Sequence, residues 1–260
     1  MDQINKENLK QDFIRIFENK EIESLLITND MGKFGLLEGC NKLETNKEIF
    51  ECIKSVIPNA TIIVPTANLN LPNSNKTYDS DETPSYKMGS FSEYVRKHLA
   101  SLRSFHPFWS LSAIGNKSQF LTSNISNHAY DKNSVFSKIF SNSKNYFLSI
   151  GNHPKFMLPV IHHLEHINNV PYRFEKKFKI FCRKSSFFEF EEMEFKLDVL
   201  KDEFRNRKRG YNNLIFENFE KKGRLIFNNP KNPKMYLFNL LEFYEITNLL
   251  FKKNINCWWE

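Results

Sequence analysis

The sequence predicts a layered α/β fold with a β-rich lobe attached after about residue 173. Amphipathic stretches of helical period alternate with short, continuously apolar runs along the first part of the chain. Those runs end in loop signals such as Asn-Asp and Pro-Thr, as strands in a layered core do. Beyond Arg173 the texture changes to closely spaced phenylalanines alternating in places with lysine and glutamate, as in Phe188-Glu189-Phe190-Glu191.

In chain order, residues 1–23 read as a helix, because Leu9, Phe13, Ile14 and Phe17 recur at helical spacing with charges between them. Glu23 to Thr28 is a short buried strand that leads into the loop Asn29 to Gly35. Residues 46–56 are helical. Ala60 to Thr66 is a β-branched run stopped by Pro65, hence a strand. Residues 67–86, rich in Asn, Ser, Asp, Thr and Pro, form a long polar loop of the kind that often serves function. Ser92 to Leu102 reads as a helix, Asn145 to Gly151 as a buried strand, and Leu158 to Asn168 as a further helix. Residues 174–197 read as antiparallel strands of a substrate-facing lobe, and 198–227 with 235–252 as helices and a strand that pack back on the core. One domain spans 1–260, with its core over about 8–173 and the lobe over about 174–260.

The composition is that of an ordinary globular protein, 40% hydrophobic and 26% charged over 260 residues. No run approaches the 18 or so apolar residues of a membrane span. Met1 to Lys6 opens a charged segment rather than a secretion signal, so a cytoplasmic location is expected. Cys40, Cys52, Cys182 and Cys257 are scattered without a C-x-x-C pair, which points to reduced thiols rather than a zinc or redox motif. The net charge of +7 favours anionic partners.

The sharpest cluster of chemically able residues is Ile161-His162-His163-Leu164-Glu165-His166. On a helix His162 and Glu165 share a face. The carboxylate can hold the imidazole in one tautomer and steady its charged form, which is the base-and-orienter arrangement that activates an amine or thiol. A helix with partly exposed histidines would carry the same letters. His162 and His166 have the spacing of a zinc pair, but His163 stands where H-E-x-x-H needs Glu and no further ligand follows, so no metal is expected. Arg103-Ser104-Phe105-His106-Pro107 is a turn able to bind phosphate or polarise a carbonyl, or else a polar turn capped by its serine. Arg205 to Arg209 is a basic run suited to nucleotide phosphates or to a solvated helix face. No nucleic-acid-binding motif, phosphate-cradling glycine loop or G-x-S-x-G elbow accompanies it, and no nucleic-acid partner is expected.

Several segments together resemble one family, the aminoglycoside 3-N-acetyltransferases. They are Ile62 to Thr66, a strand ending in Pro-Thr; Thr83-Pro84 with Met88-Gly89 and Glu93; Leu102 to Pro107 with Ser110, Ala113 and Gly115, resembling R-S-x-H-P-x-x-S-x-x-A-x-G; and His162 to Glu165 followed by Val170-Pro171-Tyr172-Arg173, resembling H-x-x-E…V-P-Y-R. All four occur in the family's order, and Phe216 to Leu225 resembles its C-terminal helix and turn.

The resemblance implies a three-layer α/β/α domain around a mixed sheet, and transfer of an acetyl group from acetyl-CoA, or another acyl-CoA, to an amine without a metal. It assigns the catalytic base to His162 and its partner to Glu165, with His106 as a further catalytic candidate. It places Thr28, Asn29, Asp30, Gly35, Thr66, Arg103, Ser104 and Ser110 beside the acyl-CoA. Two segments depart from the family. Phe156 to Pro159 replaces a polar stretch before the motif histidine, and Thr28-Asn29-Asp30 replaces H-S-S. With the basic net charge, these departures favour an amino sugar or nucleotide-linked sugar as acceptor, an aminoglycoside being the other candidate. A homodimer is compatible with this reading, and a non-catalytic ligand-binding homologue is its alternative.

Overall fold

The computed structural model describes residues 4–74, 76–99, 101–156, 158–205, 213–229 and 234–256. Its elements in chain order are α1 (Lys6–Phe17), β1 (Ser24–Asn29), α2 (Met31–Phe34), α3 (Lys42–Val56), β2 (Thr61–Pro65), β3 (Tyr78–Asp79), α4 (Ser90–His98), β4 (Leu102–Arg103), β5 (Leu111–Ile114), α5 (Ser118–Thr122), α6 (Val135–Phe140), β6 (Asn145–Ile150), α7 (Ile161–Ile167), β7 (Arg173–Arg183), β8 (Glu191–Leu200), α8 (Asp202–Arg205), α9 (Asn213–Lys221), β9 (Ile226–Phe227), β10 (Met235–Asn239) and α10 (Leu240–Lys253).

A seven-stranded mixed sheet in the order β4-β5-β2-β1-β6-β10-β9 forms the middle layer. β1 runs parallel to β2 and β6, and the outer strands join antiparallel. Successive residues of a strand face opposite sides, and the core divides accordingly. Leu25, Ile27, Ile62, Val64, Leu148 and Ile150 pack against the helices α1, α3 and α4. Leu26, Ile63, Phe147 and Phe238 pack on the other side against α6, α7, α9 and α10. Central strands covered on both faces must be apolar throughout, which is why β1 and β2 show no alternation. The three-layer arrangement expected from the sequence is the one observed.

Local chemistry sets the helix starts. Asn41 caps α3 in a reciprocal box, accepting the N–H groups of Leu43 and Glu44 while the Glu44 carboxylate accepts the Asn41 N–H at 2.8 Å. Asn5 and Asn239 cap α1 and α10. The helix expected over 1–23 is α1, which ends at Phe17 before Asn19 turns left-handed at φ 56°. The helix expected to reach Leu102 stops at His98, because Leu102 and Arg103 pair with Ala113 and Ser112 at the sheet edge. The lobe is the long β7–β8 hairpin, extended by β3. After it the chain returns to the main sheet, where β10 lies antiparallel to β6 from Met235↔Ile150 to Asn239↔Tyr146.

Strands β1 and β6 are parallel neighbours, and the connections leaving their ends go to opposite faces of the sheet, to α3 after β1 and to α7 after β6. In open α/β sheets that divergence creates a crevice beyond the carboxyl ends of the strands. Two glycines let the backbone close around it. A Cβ on Gly151 (φ 83°) would lie 2.1 Å from the Asp30 carbonyl oxygen, and one on Gly89 (φ 88°) would lie 2.1 Å from the Asn29 side-chain oxygen.

Gly151→Ala is expected to lower unfolding free energy by more than about 2 kcal/mol, since it adds a backbone clash to the usual cost of a left-handed alanine. Gly223→Ala is the control: its φ is 63° but its Cβ meets nothing within 4 Å, so about 1 kcal/mol is expected. Urea unfolding of both variants checks this, and equal losses would refute the clash.

Candidate active site

Helix α7 is seven residues long, too short to persist alone. Ile161 and Leu164 seat it in the core and fix which way its polar residues point. His162 Nδ1 donates to Glu165 Oε2 at 2.6 Å, which makes Nε2 the basic nitrogen. Glu165 is fully buried, whereas the His162 side chain is 23% exposed. The buried carboxylate also meets the Arg173 guanidinium, its Nε at 2.7 Å. Arg173 opens β7, so the V-P-Y-R turn exists to bring a guanidinium back onto the carboxylate one element earlier. The His162 ring packs on Trp109 and Tyr130, with centroids 6.0 and 5.4 Å away. The spacing of His162 and Glu165 suggested their meeting; nothing in the sequence alone assigned Arg173, Trp109 or Tyr130 to the same place.

A cleft of about 750 Å³ opens at the ends of β1 and β6, lined among others by Asn29, Asp30, Gly35, Lys42, Lys87 and Gly89. Three of the expected acyl-CoA contacts, Asn29, Asp30 and Gly35, therefore lie on its wall. Asn29 is at the same time a structural link: it donates to the Met88 carbonyl and Ser92 Oγ and accepts the Phe91 N–H, tying the end of β1 to the start of α4. Asp30 caps α2 through the Lys33 N–H.

The remaining candidates do not line that cleft and are hydrogen-bonded within the fold. Thr28 is buried with its hydroxyl toward Ser149, and Thr66, Ser110 and Ser112 share a buried hydroxyl cluster. Arg103 donates to Ser110 Oγ and to the carbonyls of Thr66, Ser80 and Thr83. It staples the polar loop 67–86 to the sheet and does not line that cleft, and burial pushes its pKa down. Ser104 Oγ accepts the Leu111 N–H. His106 is 1% exposed. Its Nδ1 accepts the Trp109 N–H and its Nε2 faces the Asn127 carbonyl, so it is held neutral, with burial taking its pKa down to about 3. Through that bond it fixes Trp109, which packs on His162. A ligand-binding turn and a self-satisfied turn use the same residue types, so sequence could not separate them.

Of the other sequence features, Arg205 pairs with Asp202 at the surface, and residues 206–209 of the basic run lie outside the described residues, as do Met157 and Cys257. Cys40, Cys52 and Cys182 are free thiols. Among the described residues no helix is long and apolar enough to cross a membrane.

The burial of His106 has a pH signature. Between about 3 and 6.5 the unfolded chain binds a proton that the folded imidazole refuses, so stability rises with pH through that window and is complete above it. Moving from pH 7 to pH 5 should cost about 2 kcal/mol from this group alone. His106→Gln should be less stable than the parent at pH 7 yet lose less between pH 7 and 5. Urea midpoints at both pH values measure this; an unchanged difference would show that His106 is not the group responsible.

Compared with known proteins, the chain matches the family described as aminoglycoside 3-N-acetyltransferase over residues 26–243. No curated protein sequence matches it. Among solved structures, YokD from Bacillus subtilis is 18% identical with a TM-score of 0.76, covering 96% of this chain and 99% of that one. AAC-IIIb, solved as a binary complex with CoASH, is 16% identical with a TM-score of 0.77 and 97% coverage of both chains. AAC-VIa bound to sisomicin is 15% identical with a TM-score of 0.75, covering 97% of this chain and 98% of that one.

Proposed function

The chain belongs to the aminoglycoside 3-N-acetyltransferase family, and from that premise we propose that it transfers an acyl group, acetyl in the simplest case, from an acyl-CoA to an amino group of a sugar. The observation that carries this reading is the His162–Glu165 pair at 2.6 Å, with its buried carboxylate braced by Arg173. A base held in one tautomer by an ionised partner is what deprotonation of an attacking amine requires.

The cleft at the ends of β1 and β6 suits the donor. Lys42 and Lys87 on its lining offer positive charge to phosphates, and CoASH binding by the similarly folded AAC-IIIb supports the same assignment. The acyl carbonyl would lie near His162 Nε2. The amine attacks the carbonyl carbon, Nε2 takes the proton the nitrogen sheds, and the same nitrogen returns it to the departing CoA sulfur. Glu165 steadies the imidazolium in between. Ser104 and His106 take no part in this reading, since both are committed to the turn that carries them.

Sisomicin binding by AAC-VIa supports an amine acceptor on a sugar. The net charge of +7 favours one that also carries an anionic group, such as a nucleotide-linked amino sugar in the cytoplasm. The apolar stretch before α7 does not by itself argue for lost chemistry. Leu158 is buried in the core, so there the departure from the family pattern fills space behind the helix.

The test is a screen of amino sugars, amino-sugar nucleotides and gentamicin-type amines against acetyl-CoA, reading free CoA thiol. Thiol release with at least one amine is expected. His162→Ala should lower kcat by about 100-fold or more while acetyl-CoA still raises the melting temperature. Turnover near the parent's in that variant, or no release with any amine, would overturn the reading.

A further inference from the structure

Helix α7 carries a second imidazole–carboxylate pair one turn beyond the first. His166 Nδ1 donates to Asp198 Oδ2 at 2.6 Å, the same distance and the same ring nitrogen as in the His162–Glu165 pair. The two histidines stand at i and i+4, hence on one face of the helix. Their side chains are 23% and 30% exposed. Aromatic rings bridge them: Tyr130 lies 5.4 Å from His162 and 6.2 Å from His128, whose ring is 4.3 Å from that of His166.

His128, His166 and Asp198 come close enough to hold an ion, but the hydrogen bonding of His128 argues against that use. His128 Nδ1 accepts the Tyr130 backbone N–H at 3.0 Å, so the ring proton sits on Nε2. That atom faces Asp198 Oδ1 at 3.5 Å and Glu175 Oε2 at 3.6 Å and has no lone pair to give a metal. His128 instead turns its Nε2 edge toward Asp198, the carboxylate that His166 bonds.

We propose that His166 is the proton acceptor that converts the incoming ammonium into the attacking amine, leaving His162 to serve the acyl transfer itself. This rests on the N-acyltransferase reading above. The stoichiometry calls for such a group. An acceptor amine in water arrives as R–NH₃⁺ and loses two protons on becoming an amide, while the CoA sulfur takes up one. The first proton passes to His166 Nε2 and frees the nitrogen lone pair. The C–N bond then forms as the carbonyl π electrons move to oxygen. The second proton passes to His162 Nε2, the C–S bond breaks, and His162 protonates the thiolate. Amide and thiol leave, and His166 releases its proton to water from its exposed edge.

The surroundings fit a base stronger than a free imidazole. Asp198 on β8 holds His166 above its ordinary value, with Asp131 and Glu175 adding to the effect and burial opposing it, which brings it nearer an alkylammonium. The other charged groups around it are largely matched: Glu175 with Lys196 at 3.1 Å, Glu165 with Arg173 at 2.7 Å, and Asp198 itself held well below the usual carboxylate range by His128 and His166. His163, also on α7, turns its Nδ1 to the Tyr130 carbonyl and is pushed down by burial.

The test is the pH profile of kcat/KM from pH 6 to 10 for acetyl transfer from acetyl-CoA to the fastest amine of the screen. His166→Asn keeps a donor for Asp198 but removes the basic nitrogen. It should lower kcat/KM by about 100-fold at pH 7, and the defect should shrink to within about threefold once the pH exceeds the acceptor's own pKa, because the amine then arrives neutral. Asp198→Asn should show a weaker defect of the same shape, and His162→Asn a defect that persists at every pH. A His166→Asn defect independent of pH, or none at pH 7, would overturn the assignment. If His162→Asn were also indistinguishable from the parent, the N-acyltransferase reading would fall with it.

Discussion

The structure turns on one buried carboxylate. Glu165 has no access to water, and an ionised carboxylate in that position costs several kcal/mol unless cations and hydrogen bonds meet it. Arg173 and His162 both do so, on the same oxygen. Because the guanidinium starts β7 and the imidazole sits in the first turn of α7, this contact joins the lobe to the core as well as defining the base. The short helix, the tight turn through Val170 and Tyr172, and the register of the hairpin all satisfy that one requirement. Trp109 and Tyr130 then close over the ring, and His106 fixes Trp109 from behind.

Much of the fold was legible. Apolar runs at β1, β2 and β6 have only one use in a chain of this composition, and helical period marked α3 and α7 to within a few residues and placed α1 while overrunning its end at Phe17. What escaped was decided by distant pairing. Leu102 continues the apolar period of α4, yet it joins Ala113 across a turn, and no local signal at 102 announces that partner. The segment between Arg103 and Asn145 carries β5, α5 and α6 in pieces of four to six residues, too brief for periodicity to register.

At the site, a pair three apart on one helix could be inferred, since both members share local geometry. Arg173 could be seen as part of a motif but not as a clamp, because its role depends on where a hairpin begins. The same holds for Asp198, which reaches His166 only through the pairing of β8 with β7. Arg103, Ser104 and Ser110 show the converse problem. Their polar atoms looked available to a ligand because the carbonyls of Thr66, Ser80 and Thr83 and the Leu111 N–H that bond them meet them only in the folded chain.

The placement of β10 has a consequence for how the molecule is made. β6, which leads into the crevice edge at Gly151, ends at Ile150, and its antiparallel neighbour does not begin until Met235. On a ribosome the nascent sheet would expose one flank of β6, hydrogen-bonding groups and Phe147 included, while the whole hairpin and its flanking helices are still being synthesised. Local helices and the hairpin can form early, whereas closure of the sheet waits for a late segment. During that interval the unpaired flank is the surface most open to wrong partners, and a holdase covering it would protect the chain where it is most vulnerable.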